Sequence, residues 1–329
     1  MRPLLFSGPR ARRFLSLATF SVPTAIFFAC GSRTPLPDPE MVGASNPSVD
    51  GATDGRVSVD GARDASGDTF IPGIDAQVRD ANRNDCPDAD TTFIYVVTEK
   101  NELLSFNPPA AAFKRIGTLV CPVKTPGSTP FSMAVDRTGV AYVLFNDGNL
   151  FQVSTKTAAC VSTGFQPNQQ GFNTFGMGFS SDTGGPEETL FIAQDTSTGP
   201  GSLASIDLST FTINPIAAFT ANVVRAELTG TGDGRLFAFY KGVPSTSSVI
   251  GEIDKATADV IAQDDLPNVN QGQGWAFGYW GGDFYTFTSP NGASSVVQRF
   301  RPLTKQVTQV GTYPSVIVGA GVSTCAPQK

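Results

Sequence analysis

The 329-residue chain contains no histidine. Without an imidazole it cannot build a histidine-dependent serine or cysteine triad, a histidine metal site or the commonest general base. It also lacks a phosphate-binding glycine-rich loop between a strand and a helix pattern. Carboxylate chemistry is therefore the catalytic option that remains, and the sequence predicts neither a cofactor nor a bound metal.

Basic residues are scarce as well. Lys and Arg total 23 against 29 Asp and Glu, which gives a formal net charge of -6. Because the phosphate backbone of nucleic acids attracts positively charged proteins, this balance predicts no nucleic-acid partner. Outside the N-terminus, no long helical pattern competes with strand patterns.

A short motif recurs five times: an apolar residue, another apolar residue three positions later, then usually a polar residue and a threonine. Successive copies lie 47, 53, 47 and 47 residues apart, and they begin at Leu103, Leu150, Leu203, Ile250 and Val297. Strand-like repeats of about 40 to 50 residues are typical of the four-stranded blade of a β-propeller.

The other strands of each blade can be placed around this motif. An aromatic-rich strand precedes each copy, and small residues alternate with larger ones before four of these strands, which suits crowded innermost strands. The first blade lacks such a run, whereas residues 316–322 carry the pattern with no blade after it. The sequence thus predicts an all-β, five-bladed β-propeller over residues 92–329, closed by the C-terminal strand, so that no sheet edge stays open.

Four of the five cysteines fit this closure. Cys86 precedes the second strand of blade one and Cys325 follows the closing strand, so a bond between them would tie the closing hairpin. Cys121 and Cys160 then pair by elimination, although one ends a fourth strand and the other begins one. Free buried thiols are the alternative, and export favours the disulfides.

The fifth cysteine, Cys30, follows an export signal over residues 1–29. Arginines precede an apolar stretch from Phe14 to Ala29 that is too short to be interpreted as a membrane-spanning helix. Because a cysteine stands at the cleavage point, the segment resembles a bacterial lipoprotein signal, in which Cys30 is acylated and attaches the protein to a membrane. A plain signal peptide is the alternative. Gly31 after the cysteine favours the outer membrane.

Residues 30–91 have a different composition, dominated by Asp, Gly, Ala, Ser and Pro. Such a segment cannot bury enough apolar surface to offset the entropy of ordering, so the sequence predicts a flexible, disordered linker. Its repeated Asp-Gly pairs lack the ligand spacing of a calcium loop.

The lipoprotein-like start, the Asp-rich tether and a Phe- and Gly-rich propeller that ends in the segment from Gly319 to Pro327 resemble a group of uncharacterised bacterial lipoproteins. The resemblance runs along the whole mature chain. It implies a propeller fold in the cell envelope, and it implies no activity.

Acidic residues are the candidates for catalysis, because some five-bladed propellers are glycosidases with carboxylates around the axial funnel. The candidates are Glu227, Asp136, Asp182, Asp233 and Asp283. Four of them, the aspartates, are interpreted as turn residues, where Asp accepts hydrogen bonds from nearby amides. Glu227 lies within an inner-strand run, where an ion pair with Arg225 or a neighbouring strand is the alternative to a functional role.

A ligand-binding mouth is predicted where the inner strands begin, since the loops there usually rim a binding site. Polar and aromatic residues at three successive inner strands mark it: Asn173, Arg225, Glu227, Gln273 and Trp275. At period-2 spacing, Arg225 and Glu227 would share one strand face. Trp275, Tyr279 and Trp280 would form either a stacking platform or part of the core.

These patterns predict a lipid-anchored propeller of the cell envelope, on the outer membrane, that acts as a non-catalytic binding or interaction module. Its partner would be an envelope glycan, peptide or protein. The alternative is a carboxylate-dependent, glycan-active enzyme, which requires two acidic side chains to converge at one mouth of the channel.

Overall fold

A computed structural model describes residue 86 and residues 93–182, 186–197, 199–242 and 247–329, all within the unit Ile71–Lys329. The predicted signal peptide, Cys30 and, apart from Cys86, the predicted tether lie outside the described residues. Within the described ranges, no helix is long and apolar enough to cross a membrane.

The described residues form twenty strands in five antiparallel sheets of four, the blades of a five-bladed β-propeller. Blade 1 contains β1 (Ile94–Thr98), β2 (Glu102–Asn107), β3 (Ala112–Thr118) and the C-terminal β20 (Ile317–Val322). Blade 2 contains β4 (Pro130–Val135), β5 (Val140–Phe145), β6 (Leu150–Ser154) and β7 (Cys160–Ser162). The predicted fold class is confirmed.

The remaining blades follow in chain order. Blade 3 contains β8 (Phe175–Ser181), β9 (Glu188–Gln194), β10 (Ser202–Asp207) and β11 (Thr212–Ala218). Blade 4 contains β12 (Val224–Gly230), β13 (Leu236–Lys241), β14 (Ser248–Ile253) and β15 (Val260–Leu266). Blade 5 contains β16 (Trp275–Trp280), β17 (Asp283–Thr288), β18 (Ser295–Arg301) and β19 (Gln306–Tyr313).

The C-terminal strand closes the ring, as predicted. β20 pairs antiparallel with β1, with Val322 opposite Ile94 and Ala320 opposite Val96. A disulfide joins Cys86 to Cys325 just beyond this pair, with 5.7 Å between their Cα atoms. Blade 1 is therefore assembled from the two ends of the propeller sequence.

A second disulfide joins Cys121, after β3, to Cys160 in β7, with 5.0 Å between their Cα atoms. This bond links blade 1 to blade 2, so the two cysteines need not belong to one sheet. Disulfides persist in oxidising compartments, and the two bonds indicate an extracytoplasmic protein.

The recurring motif forms the third strand and the turn after it. Its two apolar residues are buried in all five copies. The polar residue that follows then holds the turn: the Asp207 carboxylate accepts the amide of Ser209 at 2.8 Å, and the Asp254 carboxylate accepts the amides of Ala256 and Thr257. The motif therefore reflects both core packing and turn geometry, which explains why it recurs once in each blade.

Inner strands contain small residues because neighbouring blades approach closely there. A Cβ atom added to Gly178 would lie 2.7 Å from the carbonyl carbon of Leu228, and one added to Gly321 would lie 2.7 Å from the Val135 amide nitrogen. Side chains at these glycines would force the blades apart.

Candidate functional site

The five inner strands contact one another in a closed ring, in the order β20, β4, β8, β12, β16. We call the end of this channel where the inner strands begin the mouth, and the end where they finish the base. The mouth contains the residues that the sequence singled out for ligand binding.

Three inner strands begin with a β-bulge, an extra residue that has no partner on the neighbouring strand. The register shifts occur at Phe131 in β4, between Val224 and Glu227 in β12, and at Val318 in β20. Bulges bend a strand and re-aim its side chains, and they are common beside binding sites. The prediction that Arg225 and Glu227 share a face by simple alternation therefore fails, because the bulge lies between them.

Arg225 has a φ of 54°, in the left-handed region. Among the described non-glycine residues with positive φ, it alone lies inside a strand. This conformation costs about 1–2 kcal/mol for a residue with a Cβ atom. The side chain projects to blade 5, where its guanidinium carbon lies 3.7 Å from the centroid of the Trp275 ring and Nη2 donates to the Gly272 carbonyl at 3.4 Å.

Asp195 brings a carboxylate to the same place. It follows β9, and its Oδ2 accepts the Thr174 hydroxyl at 3.4 Å. Burial raises the pKa of Asp195, while the charge of Arg225 opposes that rise. The sequence analysis missed Asp195, although the ends of second strands meet the starts of inner strands at one edge of each blade.

Glu227 lies deeper, within the channel. Its side chain is 2% exposed, and its Oε2 accepts the Ser132 hydroxyl at 2.7 Å; that hydroxyl in turn accepts the Met177 amide. Burial raises the pKa of Glu227 well above its ordinary value, and the charge of Asp195 raises it further. Among the described residues no ion pair joins Glu227 to Arg225, so that alternative is wrong; Glu227 is instead a buried carboxyl whose hydrogen bond to Ser132 links blades 4 and 2.

A small recess opens at the mouth between blades 5, 1 and 2. It has a volume of about 60 Å³, and its lining consists of Pro130, Phe131, Gln273, Gly274, Trp275 and Val318. Trp275 belongs to both the recess and the contact with Arg225. Gln273 is exposed at the rim, while Asn173, also exposed, does not line the recess.

The other aromatic candidates do not join this site. Trp280 lies at the opposite end of β16 from Trp275, at the base. Tyr279 donates its hydroxyl to the Gln328 carbonyl at 3.0 Å, and its ring stacks on Phe237 in the core. The predicted cluster of three is therefore not one platform.

The remaining acidic candidates have structural roles. Asp136 accepts the amides of Thr138 and Val140, as a turn residue does. The interpretation of Asp283 as a turn residue is wrong, since it begins β17 and forms ion pairs with Arg299 and Arg301. The other two, Asp182 and Asp233, accept the hydroxyls of Thr189 and Thr231. The described residues contain no cluster of acidic and cysteine side chains that could hold a metal ion.

The base of the channel has its own buried carboxyl. Glu188, at the start of β9, accepts the backbone amide of Arg137 at 2.7 Å and the hydroxyl of Thr324 at 2.7 Å. Burial raises the pKa of Glu188 to about 7. Because these partners come from blade 2 and from the closing hairpin of blade 1, Glu188 ties three blades together beside Cys325.

Comparisons with known proteins find similar structures at low sequence identity. Similar solved structures include the Dos1 propeller, at 13% identity and TM-score 0.38 over 71% of each chain. They also include hydrazine synthase from Kuenenia stuttgartiensis, at 12% identity and TM-score 0.35 over 67% of each chain. TolB from Acinetobacter baumannii aligns at 13% identity and TM-score 0.39 over 66% of this chain and 52% of that one. No protein-family model and no curated protein matches the chain. These likenesses carry no argument about function.

Proposed function

We propose that the protein is a lipid-anchored propeller of the cell envelope that acts as a non-catalytic binding module, with the channel mouth as its binding site. The observation that carries the proposal is Arg225. This residue has a strained backbone inside an inner strand, and its guanidinium lies over the ring of Trp275. Strained residues of this kind cluster at functional sites, including ligand clamps.

The surroundings of Arg225 support a binding role. Burial lowers the pKa of its guanidinium, and no carboxylate among the described residues lies within ion-pair distance of it. A partly desolvated cation beside an aromatic ring is a common recognition element, because both groups can contact a ligand.

The test is binding of fractionated envelope glycans and peptides to the purified mature chain and to its Arg225→Gly variant. Glycine tolerates the left-handed conformation, so the variant should fold while losing the guanidinium. We expect at least tenfold weaker binding. A matched control, Arg115→Ala on exposed β3, should bind like the wild type. Equal binding by all three proteins would contradict a site at the mouth.

The anchoring part of the proposal rests on Cys30, which follows an apolar stretch at a cleavage point of the lipoprotein type. Cys30→Ser should release the protein from membranes or block its processing. A processed Cys30→Ser protein that stays with the membrane would contradict the anchor, and an inner-membrane position on fractionation would contradict the outer-membrane assignment.

A glycan-active enzyme is the second candidate, and the electrostatic coupling of Asp195 and Glu227 favours it. Glycoside hydrolysis uses two nearby carboxyl groups, one as the acid and the other as base or nucleophile. Against this, Glu227 is 2% exposed and already hydrogen-bonded to Ser132. Glycan hydrolysis that disappears in both Asp195→Asn and Glu227→Gln would establish the enzyme in place of the binding module.

A further inference from the structure

Building on the proposed binding role, we infer that the mouth takes an uncharged, hydroxyl-rich ligand, a neutral carbohydrate, held by Arg225, Asp195 and Trp275. Three independent features of the mouth lead to this ligand class: its charge, its unpartnered polar atoms and the shape of its recess.

The mouth contains charged groups of both signs. Arg225 contributes one positive charge and Asp195 one negative charge, and these two charges influence each other. Glu227 beneath them is buried and hydrogen-bonded to Ser132, so it does not face the mouth. A cationic ligand would be repelled by Arg225 and an anionic ligand by Asp195. A ligand hydroxyl can accept a hydrogen bond from Arg225 and donate one to Asp195.

Several buried polar atoms without a partner lie in blade 5 and just before the closing strand, while others lie on Asp147, Ser181 and Gln328. Gln271 is 4% exposed, and neither atom of its amide has a hydrogen-bond partner within the described part of the chain. The same is true of Trp275 Nε1, Thr288 Oγ1 and Ser315 Oγ. Buried polar groups in native proteins almost always have partners, so five such atoms in one region require an explanation.

These atoms belong to residues that neighbour the proposed site in sequence or in strand register, and Trp275 itself lines the recess. Gln271 precedes Gly272, whose carbonyl accepts from Arg225, and Thr288 lies opposite Trp275 in the β16–β17 register. Ser315 precedes the residues that crowd Gly274 in the recess wall. The set mixes donors, an acceptor and hydroxyls, which matches the mixed hydrogen bonding of sugar hydroxyls, directly or through bridging water.

The recess limits how the ligand enters. At about 60 Å³ it is far smaller than the pockets of about 300 Å³ or more that enclose small molecules. A sugar substituent can therefore enter between Phe131 and Val318 while the ring stays at the surface near Trp275. Binding of this kind buries little area, so we expect weak affinity for one sugar and stronger affinity for an oligosaccharide.

The experiment uses the two tryptophans of the chain. In a mature Trp280→Phe protein, Trp275 is the sole tryptophan and reports on the mouth. It is titrated with chitotetraose, cellotetraose and maltotetraose as neutral probes, with tetragalacturonate as an acidic probe, and with a short acidic peptide. We expect a shift in Trp275 emission with at least one neutral probe, and none in the matched Trp275→Phe protein, where Trp280 reports from the base.

Arg225→Gly and Asp195→Asn, each in the Trp280→Phe background, should both weaken the binding of that neutral probe at least tenfold. A response only to tetragalacturonate or the peptide would overturn the neutral-carbohydrate inference and leave the proposed binding role standing. No response to any probe, or a neutral response that neither variant weakens, would also overturn it. The binding role itself is judged separately, by the envelope fractions and Arg225→Gly.

Discussion

At the base of the channel, Glu188 is hydrogen-bonded to partners from two other blades, whereas at the mouth Arg225 and Trp275 mainly contact each other. The base also contains the disulfide that closes the ring, although two buried oxygens there, Ser181 Oγ and Gln328 Oε1, have no hydrogen-bond partner among the described residues. The mouth contains bulges, a strained backbone and polar atoms without partners. The base is thus tied together by hydrogen bonds between blades, whereas the mouth contains the residues of the proposed binding site.

The largest effect is expected from breaking the ring at the base. Removal of residues 315–329 deletes β20 and Cys325, so blade 1 loses its inner strand and the propeller should unfold. Removal of residues 31–80, by contrast, should hardly change the melting temperature. Circular dichroism melts of both truncations provide the measurement, and a chain ending at residue 314 that melts like the full protein would contradict the closure.

A smaller effect is expected from the closing disulfide alone. Cys325→Ser should lower the free energy of unfolding by roughly 2–5 kcal/mol, the usual range for a native disulfide in a secreted protein. Its bond spans 239 residues, against 39 for the Cys121 bond, so Cys160→Ser should cost less. Denaturant titration measures both. A greater loss from Cys160→Ser would show that ring closure depends little on the bond at the base.

The base also predicts a pH dependence. The pKa of Glu188 is raised from 4.5 to about 7 in the folded protein, so its proton is held more tightly there than in the unfolded chain. Below about pH 4.5 the raised pKa contributes its full stabilisation, about 3 kcal/mol of unfolding free energy. This contribution is lost as the pH rises through about 7. Glu227, whose pKa is also raised, acts in the same direction.

Denaturant titration of Glu188→Gln at several pH values tests this. The variant should show a shallower decline in stability between pH 4.5 and pH 7 than the wild type. Asp136→Asn, which removes a nearby charge but keeps Glu188, is the control and should retain most of the decline. An unchanged slope in Glu188→Gln would mean that Glu188 is not the group responsible.

The smallest change in stability is expected at the mouth. Arg225→Gly stabilises the folded protein by relieving about 1–2 kcal/mol of backbone strain. It destabilises the protein by losing about 0.5–1 kcal/mol of contact with Trp275 and by giving the unfolded chain about 0.5–1 kcal/mol more entropy. These terms nearly cancel, so the melting temperature should hardly move. A large drop would identify Arg225 as part of the structural core.

The blades were predictable because each repeats the same physical solution. Buried pairs such as Leu203 and Ile206, followed by the turn at Asp207, leave a regular signal in the sequence. The mouth was less predictable, since one bulge residue changes the direction of every side chain before it. Simple alternation therefore placed Arg225 beside Glu227, whereas the structure places it on Trp275. Asp195 joins the site from blade 3 because that blade packs beside blade 4, a contact between strands that sequence alternation does not show.

The most direct test of the contrast between the two ends measures melting temperature and binding together for Arg225→Gly and Cys325→Ser, with the envelope fraction that the wild type binds. We predict that Arg225→Gly keeps the melting temperature and loses binding, whereas Cys325→Ser melts lower and, below its melting temperature, binds like the wild type. The opposite pattern, a destabilised Arg225→Gly that still binds, would place the site elsewhere and contradict the account.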